Sequence, residues 1–333
     1  MLPVTLKSQL NKFASSTIGS ALMSAVATAL AATALIKLST NTLEHFGWAL
    51  FVGLPIFCGY IAVFLYSLQE PRSSANCLWV TALSLGFIGL LCLLFQIDGA
   101  VCLFMALPLA MLFAAFGASL GAGTANWLRK RRNPTLPLLI LFFTMPTLMG
   151  AEAKLNLEPP LSKVVTSVDI KGTPDKVWKH VIAFSPIPEP EEFIFKTGIA
   201  YPLNATIKGK GVGAIRYCNF STGPFIEPIT VWQEPTLLRF DVTHNPHPMK
   251  EWSFYKDLEP NHFHNFMVSK QGQFKLIKLD ANTTRLEGTT WYYHRLWPTG
   301  YWRAISDNII HQIHYRVLNH IKQEVEVKRE NNP

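Results

Sequence analysis

YWRAISDNIIHQIHYRVLNHIKQEVEV occupies Tyr301 to Val327, near the C-terminal end of a chain of 333 residues. Apolar residues recur in this stretch at the three- and four-residue spacing of a helix face. At about 100° per residue they fall on one broad stripe. The stripe consists of Trp302, Ile305, Ile309, Ile310, Ile313, Val317 and Ile321. A helix so apolar on one side must pack against another element, and the sequence before it predicts which one.

The residues that precede the helix have the pattern of a mixed α/β domain. Val164–Ile170 alternates like a strand. Thr173, Pro174 and Asp175 then suit the N-cap and the first turn of a helix. Further strands are predicted at Ala205–Phe220, Ile226–Trp232, Leu237–Val242, Gln273–Leu279 and Thr284–Arg295. We therefore predict an α+β fold in which the long helix lies on the concave side of a curved sheet.

Several segments of this domain resemble the START-like superfamily, also called SRPBCC. They are GTPDKVW (172–178), GVGAIRY (211–217), EPITVWQEPTLLRFDV (227–242) and RLEGTTWYYHRLWPTGYWRAISDNIIHQIHYRVLNHIKQE (285–324). The resemblance covers residues 163–328 and implies a helix-grip fold, with an antiparallel sheet around the C-terminal helix and an apolar cavity between them. The last segment, and the apolar segments 47–57 and 98–110, resemble a membrane-fused bacterial subgroup often labelled polyketide cyclase. The superfamily includes binders, transporters and enzymes, so the resemblance implies a fold more than a function.

The first half of the chain differs sharply in composition. Residues 1–153 hold eight Lys or Arg and four Asp or Glu, whereas the rest holds 22 and 18. Crossing a bilayer takes about 20 apolar residues per helix. Apolar runs occur at Phe13–Leu38, Trp48–Leu68, Cys77–Phe95, Ala100–Leu120 and Leu136–Gly150. We predict about five transmembrane helices in residues 1–153, a linker at 154–162, the START-like domain at 163–328 and a tail at 329–333.

Small residues in two of these runs predict close helix packing. Ser20, Ser24 and Thr28 repeat every four positions in the first run, and Gly117 and Gly121 form a GxxxG pattern in the fourth. Small residues at this spacing let the backbones of two membrane helices approach each other.

Loop charges predict the orientation of the bundle. Positive residues cluster before the first helix, at Arg72, and at Arg129–Arg132. The alternate loops hold Glu44 and Asp98, with Lys37 as the exception. Because positive loops stay in the cytoplasm, we predict a multi-pass protein of the bacterial inner membrane whose C-terminal domain is extracytoplasmic. The alternative is a buried or re-entrant fifth helix that leaves the domain in the cytoplasm.

Residues 129–153 (RKRRNPTLPLLILFFTMPTLMGAEA) look like a secretory signal in the middle of the chain. A basic cluster is followed by an apolar run and by Ala151-Glu152-Ala153, which has the pattern of a signal-peptidase site. Cleavage there would release the domain, but the preceding helices favour an uncleaved anchor.

Three polar residues of the C-terminal helix are the candidates for chemistry. Asp307, His311 and His314 are spaced i, i+4, i+7 and share one strip of the helix at the edge of the apolar stripe. A carboxylate with two imidazoles can support proton transfer or metal binding. The position at the edge favours a hydrogen-bonded structural role, so no catalytic residue is assigned.

No metal site, cofactor or nucleic-acid partner is predicted. His262 and His264 lack a third ligand, and Asp98, Cys102 and Met105 form only a weak set of soft ligands. P-loop, dinucleotide, nucleophile-elbow and CxxC motifs are absent from the sequence. No stripe of basic residues with exposed aromatics indicates nucleic-acid binding.

The sequence favours a membrane-anchored START-like domain that binds an apolar ligand such as a lipid or isoprenoid. The partners expected are the lipid bilayer and an apolar small molecule or lipid. Predicted cavity-lining residues are Trp232, Phe240, Trp291, Tyr293, Trp302, Ile309 and Ile313. The insertion at 245–252 is expected to cap the cavity mouth, to touch the membrane, or to be an ordinary loop. Two alternatives for the whole protein stay open: a cyclase- or hydrolase-type enzyme using Asp307, His311 and His314, and a non-catalytic envelope interaction module.

Overall fold

The computed structural model describes residues 16–129, 135–155, 157–256, 258–260, 263 and 267–330. The chain forms two compact units. Unit 1 comprises Met1–Leu157 and Glu251–His262, and unit 2 comprises Glu158–Lys250 and Phe263–Pro333. Residues 251–262 therefore belong with the helical half, whereas the sequence pattern grouped them with the START-like domain.

Unit 1 is built from helices that follow the apolar runs. They are α1 (Thr17–Lys37), α2 (Leu54–Tyr66), α3 (Ser74–Leu94), α4 (Ala100–Arg129) and α5 (Thr135–Leu155). Short π-helical turns, Leu38–Thr42 and Ala49–Gly53, extend α1 at its end and α2 at its start. Among the described residues, four helical stretches are long and apolar enough to cross a membrane: Thr17–Thr42, Ala49–Tyr66, Ser74–Leu94 and Ala100–Arg129. Helix α5, from the fifth apolar run, is not one of these four.

Small residues set the packing of unit 1, as the sequence predicted. A Cβ atom on Gly117 would lie 2.0 Å from the backbone oxygen of Ile56, and one on Gly121 would lie 2.4 Å from that of Tyr60. The GxxxG face of α4 thus contacts the backbone of α2 directly. On α1, Ser24 and Thr28 are buried, and their hydroxyls donate to the carbonyl oxygens four residues earlier.

Unit 2 contains one antiparallel sheet in the order β1-β7-β6-β5-β4-β3-β2. The strands are β1 (Ser162–Lys171), β2 (Pro202–Lys208), β3 (Ile215–Phe220), β4 (Gly223–Gln233), β5 (Leu237–Asp241), β6 (Met267–Lys278) and β7 (Thr283–His294). Two short helices, α6 (Pro174–Ile182) and α7 (Phe193–Lys196), lie between β1 and β2 along the chain. Thr173 is the N-cap of α6, as expected, but its side chain makes no capping hydrogen bond.

The long helix α8 (Thr299–Glu330) follows the last strand and completes unit 2. Leu318 and Ile321 are fully buried in the same apolar core as Leu238 and Leu286 of the sheet. The sheet order and this helix give unit 2 the helix-grip architecture that the sequence resemblance implied. The space left between sheet and helix is where a ligand site is to be sought.

Candidate functional site

A cavity of about 160 Å³ lies between the sheet and α8 in unit 2. This volume is close to the ~150 Å³ of an engineered apolar cavity that binds benzene. Most of the wall is apolar. The lining residues include Cys218, Phe220, Phe225, Phe240, Phe274, Ile309, Ile310, Ile313, Val317 and Leu318. The stretch Asn245–Met249, which follows β5, also lines it, so this part of the insertion contributes to the cavity wall.

Arg216 places a charged group in this apolar wall. It lies on β3 with only 1% of its surface exposed, and its Nη1 donates to Glu227, its register partner on β4. Its Nε donates to the carbonyl oxygen of Ile182 at 3.2 Å, and its guanidinium lies 5.4 Å from the rings of Phe240 and of Phe274. Its Nη2 is buried and has no oxygen or nitrogen partner among the described residues.

Arg216 and Glu227 together carry no net charge, but the Nη2 group of Arg216 still offers hydrogen-bond donors. The Glu227 carboxylate neutralises the Arg216 guanidinium. Burial raises the pKa of Glu227, and the nearby guanidinium opposes that rise. Burial also raises the pKa of the neighbouring Cys218 thiol to about 12, so the thiol is neutral at pH 7. A buried donor without an acceptor costs about 1–3 kcal/mol. An acceptor oxygen from a ligand would remove that cost.

The two candidate histidines face threonines of the sheet. Thr166 Oγ1 on β1 lies 2.7 Å from His311 Nδ1 and 3.0 Å from His314 Nδ1. Thr290 Oγ1 on β7 lies 2.8 Å from His314 Nε2, so both ring nitrogens of His314 have hydroxyl partners. Burial, and secondarily the neighbouring His311, lowers the pKa of His314 to about 4. His314 is therefore neutral at pH 7, and it also lines the cavity.

Asp307 has a different partner from the histidines. Its Oδ1 accepts a hydrogen bond of 2.7 Å from the hydroxyl of Tyr292, which is fully buried. Burial, followed by this contact with Asp307, raises the pKa of Tyr292 above its usual range. The structure therefore divides the strip of three polar residues into two separate hydrogen-bonded groups, and Asp307 is absent from the cavity lining.

Three of the seven residues expected to line a cavity do so, namely Phe240, Ile309 and Ile313. Trp291 and Tyr293 do not, because the inward positions of β7 are taken by Tyr292 and His294, which are buried. Basic side chains cover the two outward rings instead: Lys163 and Arg239 lie over Trp291, and Lys270 and Arg295 over Tyr293.

The remaining two expected residues are also absent from the cavity lining. Trp232 packs edge-on against Trp178 in the core, with their ring centroids 5.6 Å apart. Trp302 is buried and donates from Nε1 to the carbonyl oxygen of Trp297 at 3.3 Å. In both cases the indole contacts another tryptophan rather than the ligand space.

A second polar cluster joins α6 and α8. Ser185 Oγ donates to Glu324 Oε1, and it lies 3.1 Å from His320 Nε2. His180 Nδ1 contacts the other carboxylate oxygen at 2.8 Å. A Ser-His-carboxylate set can serve nucleophilic catalysis when the histidine takes the serine proton. Here the serine hydroxyl donates to the carboxylate, so His320 must donate to the serine and does not activate it.

The one group of metal-type ligands found among the described residues lies in unit 1. Donor atoms of Asp98, Cys102 and Glu251 lie within 4.8 Å of one another. The Glu251 carboxylate already accepts from the backbone N–H groups of Val101 and Cys102, at 3.0 Å each. These N–H groups have no partner within the helix, so the cluster is accounted for as the N-terminal cap of α4. The paired histidines His262 and His264 lie outside the described residues.

No protein-family model and no curated protein matches the chain. Among solved structures, norcoclaurine synthase of Thalictrum flavum is 10% identical, with 52% of this chain and 99% of that chain covered and a TM-score of 0.34. The Zhui aromatase/cyclase from Streptomyces sp. R1128 is 12% identical, with coverages of 50% and 94% and a TM-score of 0.32. Protein XoxI from Bacillus cereus is 16% identical, with coverages of 49% and 95% and a TM-score of 0.31. The START-like fold is confirmed by the strand order of unit 2 and by its C-terminal helix.

Proposed function

We propose that unit 2 binds a ring-sized apolar ligand carrying one neutral hydrogen-bond acceptor, and that unit 1 anchors this domain in a membrane. The observation that carries the ligand proposal is the buried Nη2 of Arg216, which has no oxygen or nitrogen partner among the described residues and belongs to the wall of an apolar cavity. Pockets of this kind use a few polar groups to orient a ligand that is otherwise held by apolar contact.

Charge and volume narrow the class of ligand. Glu227 already neutralises Arg216, so an anionic group would add an uncompensated buried charge, which is costly. A ketone, ester or hydroxyl oxygen accepts a hydrogen bond without that cost. The volume of about 160 Å³ suits a ring or a short isoprenoid unit and is too small for a two-chain lipid.

The geometry of the histidines supports binding over acid–base catalysis. A general base must be free to take a proton from the substrate. The ring nitrogens of His314 are hydrogen bonded to Thr166 and Thr290, and Asp307 accepts from Tyr292. Proton transfer through these groups would first require the helix-to-sheet contacts to break.

The membrane anchor is supported by the exposed surface of unit 1. Large apolar side chains point outward along its helices; among them are Leu112, Phe116 and Leu120 of α4. Trp79 near the start of α3 and Trp127 near the end of α4 are exposed at one end of the bundle, and Trp48 and Phe95 at the other. Trp and Tyr are enriched at both membrane–water interfaces of membrane proteins, and three of these four residues are tryptophans.

The binding proposal is tested with three ring-sized probes on the full chain in detergent. 4-Fluoroacetophenone has a neutral acceptor, 4-fluoroethylbenzene has none, and 4-fluorobenzoate is an anion. We expect ¹⁹F NMR titrations to give the ketone the tightest binding, by about tenfold or more, because a hydrogen bond to a charged group contributes roughly 1.5–3 kcal/mol.

The control replaces the whole ion pair, because removing one partner would leave a buried charge. In Arg216→Met/Glu227→Leu the ketone should bind no better than the hydrocarbon. Each probe partitions equally into detergent in both samples, so a difference between the two proteins reports binding to the cavity. Ile313→Trp should block all three probes by filling the cavity, whereas Val165→Trp, at an exposed position of β1, should block none. Equal affinity for ketone and hydrocarbon in the wild-type protein would contradict the role of Arg216.

A further inference from the structure

A short aromatic segment of unit 1, Glu251–Lys256, exposes its rings to the surroundings. Trp252 is 58% exposed, Phe254 70% and Tyr255 39%. Exposed apolar groups clustered in this way mark a contact site for a membrane or a partner. The segment ends in an exposed lysine, Lys256. Neither the cavity nor the polar clusters of unit 2 account for it.

Hydrogen bonds hold this segment beside the ends of two helices of unit 1. The backbone oxygen of Trp252 accepts from Ala100 N at 2.9 Å, at the start of α4. The hydroxyl of Tyr255 donates to the carbonyl oxygen of Leu94 at 2.9 Å, at the end of α3. Both partners are terminal residues of stretches that are long and apolar enough to cross a membrane.

Glu251 holds the segment in place. Its carboxylate accepts from the first free N–H groups of α4, at Val101 and Cys102, and it is 9% exposed. A Cβ atom on Gly99 would lie 2.2 Å from this carboxylate, so only glycine leaves room for it there. The backbone of the segment is thereby fixed at a helix terminus, while its rings stay exposed.

We propose that Glu251–Lys256 lies in the headgroup region of the bilayer, with Trp252 and Phe254 in contact with lipid. Tryptophan and tyrosine prefer this depth because the apolar body of the ring contacts lipid while its polar N–H or O–H group contacts water. Lys256 can reach lipid phosphates from the same position. Exposed rings of Trp48 and Phe95 occur at the same end of the bundle. The inference rests on the membrane anchor proposed above.

Depth-dependent fluorescence quenching tests the inference on the full chain, reconstituted in vesicles of phosphatidylcholine and phosphatidylglycerol. A bimane label is placed at Phe254→Cys, at Leu112→Cys in the exposed middle of α4, and at Leu279→Cys beside Asp280 in the β6–β7 turn of unit 2. The five native cysteines are buried, so the unsubstituted protein gives the labelling background. The quenchers are lipids with a nitroxide near the headgroup or deep in the chain, and aqueous iodide.

We expect the label at 254 to be quenched by the shallow nitroxide and to lose most of its sensitivity to iodide. The label at 112 should respond to the deep nitroxide, and the label at 279 to iodide. Iodide quenching at 254 equal to that at 279, with the label at 112 still quenched by lipid, would overturn the interfacial role alone. Absence of lipid quenching at both 112 and 254 would overturn the membrane anchor as well.

Discussion

Arg216 faces the core although its neighbours Ile215 and Tyr217 are more apolar. Ile215 is 36% exposed, whereas Arg216 and Cys218 are almost fully buried. The reason is the partner strand, which places Glu227 directly opposite Arg216. Apolar alternation alone predicts the reverse orientation for this strand. Ala214 and Cys218, each two residues away on the same face, were the available signal, but Val212 on that face is exposed and the glycines at 209, 211 and 213 interrupt the alternation.

On strand β7 the sequence pattern could not predict which aromatic residues face the core. Trp291, Tyr292 and Tyr293 are consecutive aromatics, so composition cannot tell which of them point inward. The structure buries Tyr292, because its hydroxyl reaches Asp307, and leaves the outer pair to basic side chains. Phe240 and Ile313 were predictable because polar neighbours on their own strand and helix leave one apolar face.

We predict that His314 makes the stability of unit 2 depend on pH. Its pKa falls from 6.5 to about 4 in the folded chain, chiefly through burial. Between these values the unfolded chain binds more protons, so stability should decrease as the pH drops from about 6.5 to about 4, by roughly 2–3 kcal/mol. Well above pH 6.5 the imidazole is neutral in both the folded and the unfolded chain, and no effect is expected there. Thermal melting in detergent at a series of pH values measures this dependence.

His314→Gln is the matching variant, because glutamine can bond to one threonine and does not titrate. The variant should lose a large part of the acid sensitivity while it retains the fold and the binding of 4-fluoroacetophenone. His294 also has a pKa lowered by burial, so some sensitivity should persist. An unchanged pH profile in His314→Gln would show that His314 does not remain neutral in the folded protein.

Between helices, small residues were a reliable guide to packing in unit 1. The GxxxG pattern of α4 predicted a close contact, although it did not identify α2 as the partner. Two carboxylates that cap helix starts far away in sequence could not be predicted in this way. Glu152 accepts from Trp48 N and Ala49 N, more than 100 residues earlier, and Glu251 caps α4 from about 150 residues away. Nothing in the local sequence indicates either pair.

We predict that Gly117→Ala destabilises unit 1. The added methyl would lie 2.0 Å from the backbone oxygen of Ile56, so α2 and α4 must move apart. Overpacking of this kind typically costs about 1–3 kcal/mol. Gly123→Ala is the control on the same helix, because a Cβ there meets none of the described residues within 4 Å. It should be neutral or slightly stabilising, because alanine is the better helix former. Equal melting temperatures for the two variants in one detergent would contradict the contact between the helices.

At the scale of the whole chain, composition separates a charge-poor half from an ordinary α/β domain. The first segment of unit 1 ends at Leu157, and the sequence predicts a linker at 154–162 from the end of the apolar runs and the prolines that follow. The assignment of residues 251–262 to unit 1 was not predictable, since it depends on hydrogen bonds to helix ends far away in sequence. Asn245–Met249 lines the cavity, and the chain enters unit 1 just beyond it at Glu251.

Arginine side chains bond to the backbone at one end of unit 1, and carboxylates do so at the other. At one end, Arg72 donates to the carbonyl oxygen of Tyr66 and to Thr17 Oγ1, and Arg129 donates to the carbonyl oxygen of Ser67. The other end gathers carboxylates, with Glu152 at the start of the second apolar stretch and Glu251 at the start of α4. Positive charge concentrated at one end is the pattern that orients membrane proteins, with that end in the cytoplasm.

We therefore predict that Glu70, beside Arg72, is cytoplasmic and that the turn at Leu279 in unit 2 is extracytoplasmic. Glu70 is 67% exposed and Leu279 45%, so a cysteine at either position can react with a membrane-impermeant maleimide. In spheroplasts we expect Leu279→Cys to be labelled at once and Glu70→Cys only after the membrane is permeabilised. The chain without either substitution serves as the control, because its native cysteines are buried. Labelling of both cysteines only after permeabilisation would place unit 2 in the cytoplasm, as expected for a fifth apolar helix that does not cross the membrane. The reverse order of labelling would mean that the whole bundle has the opposite orientation.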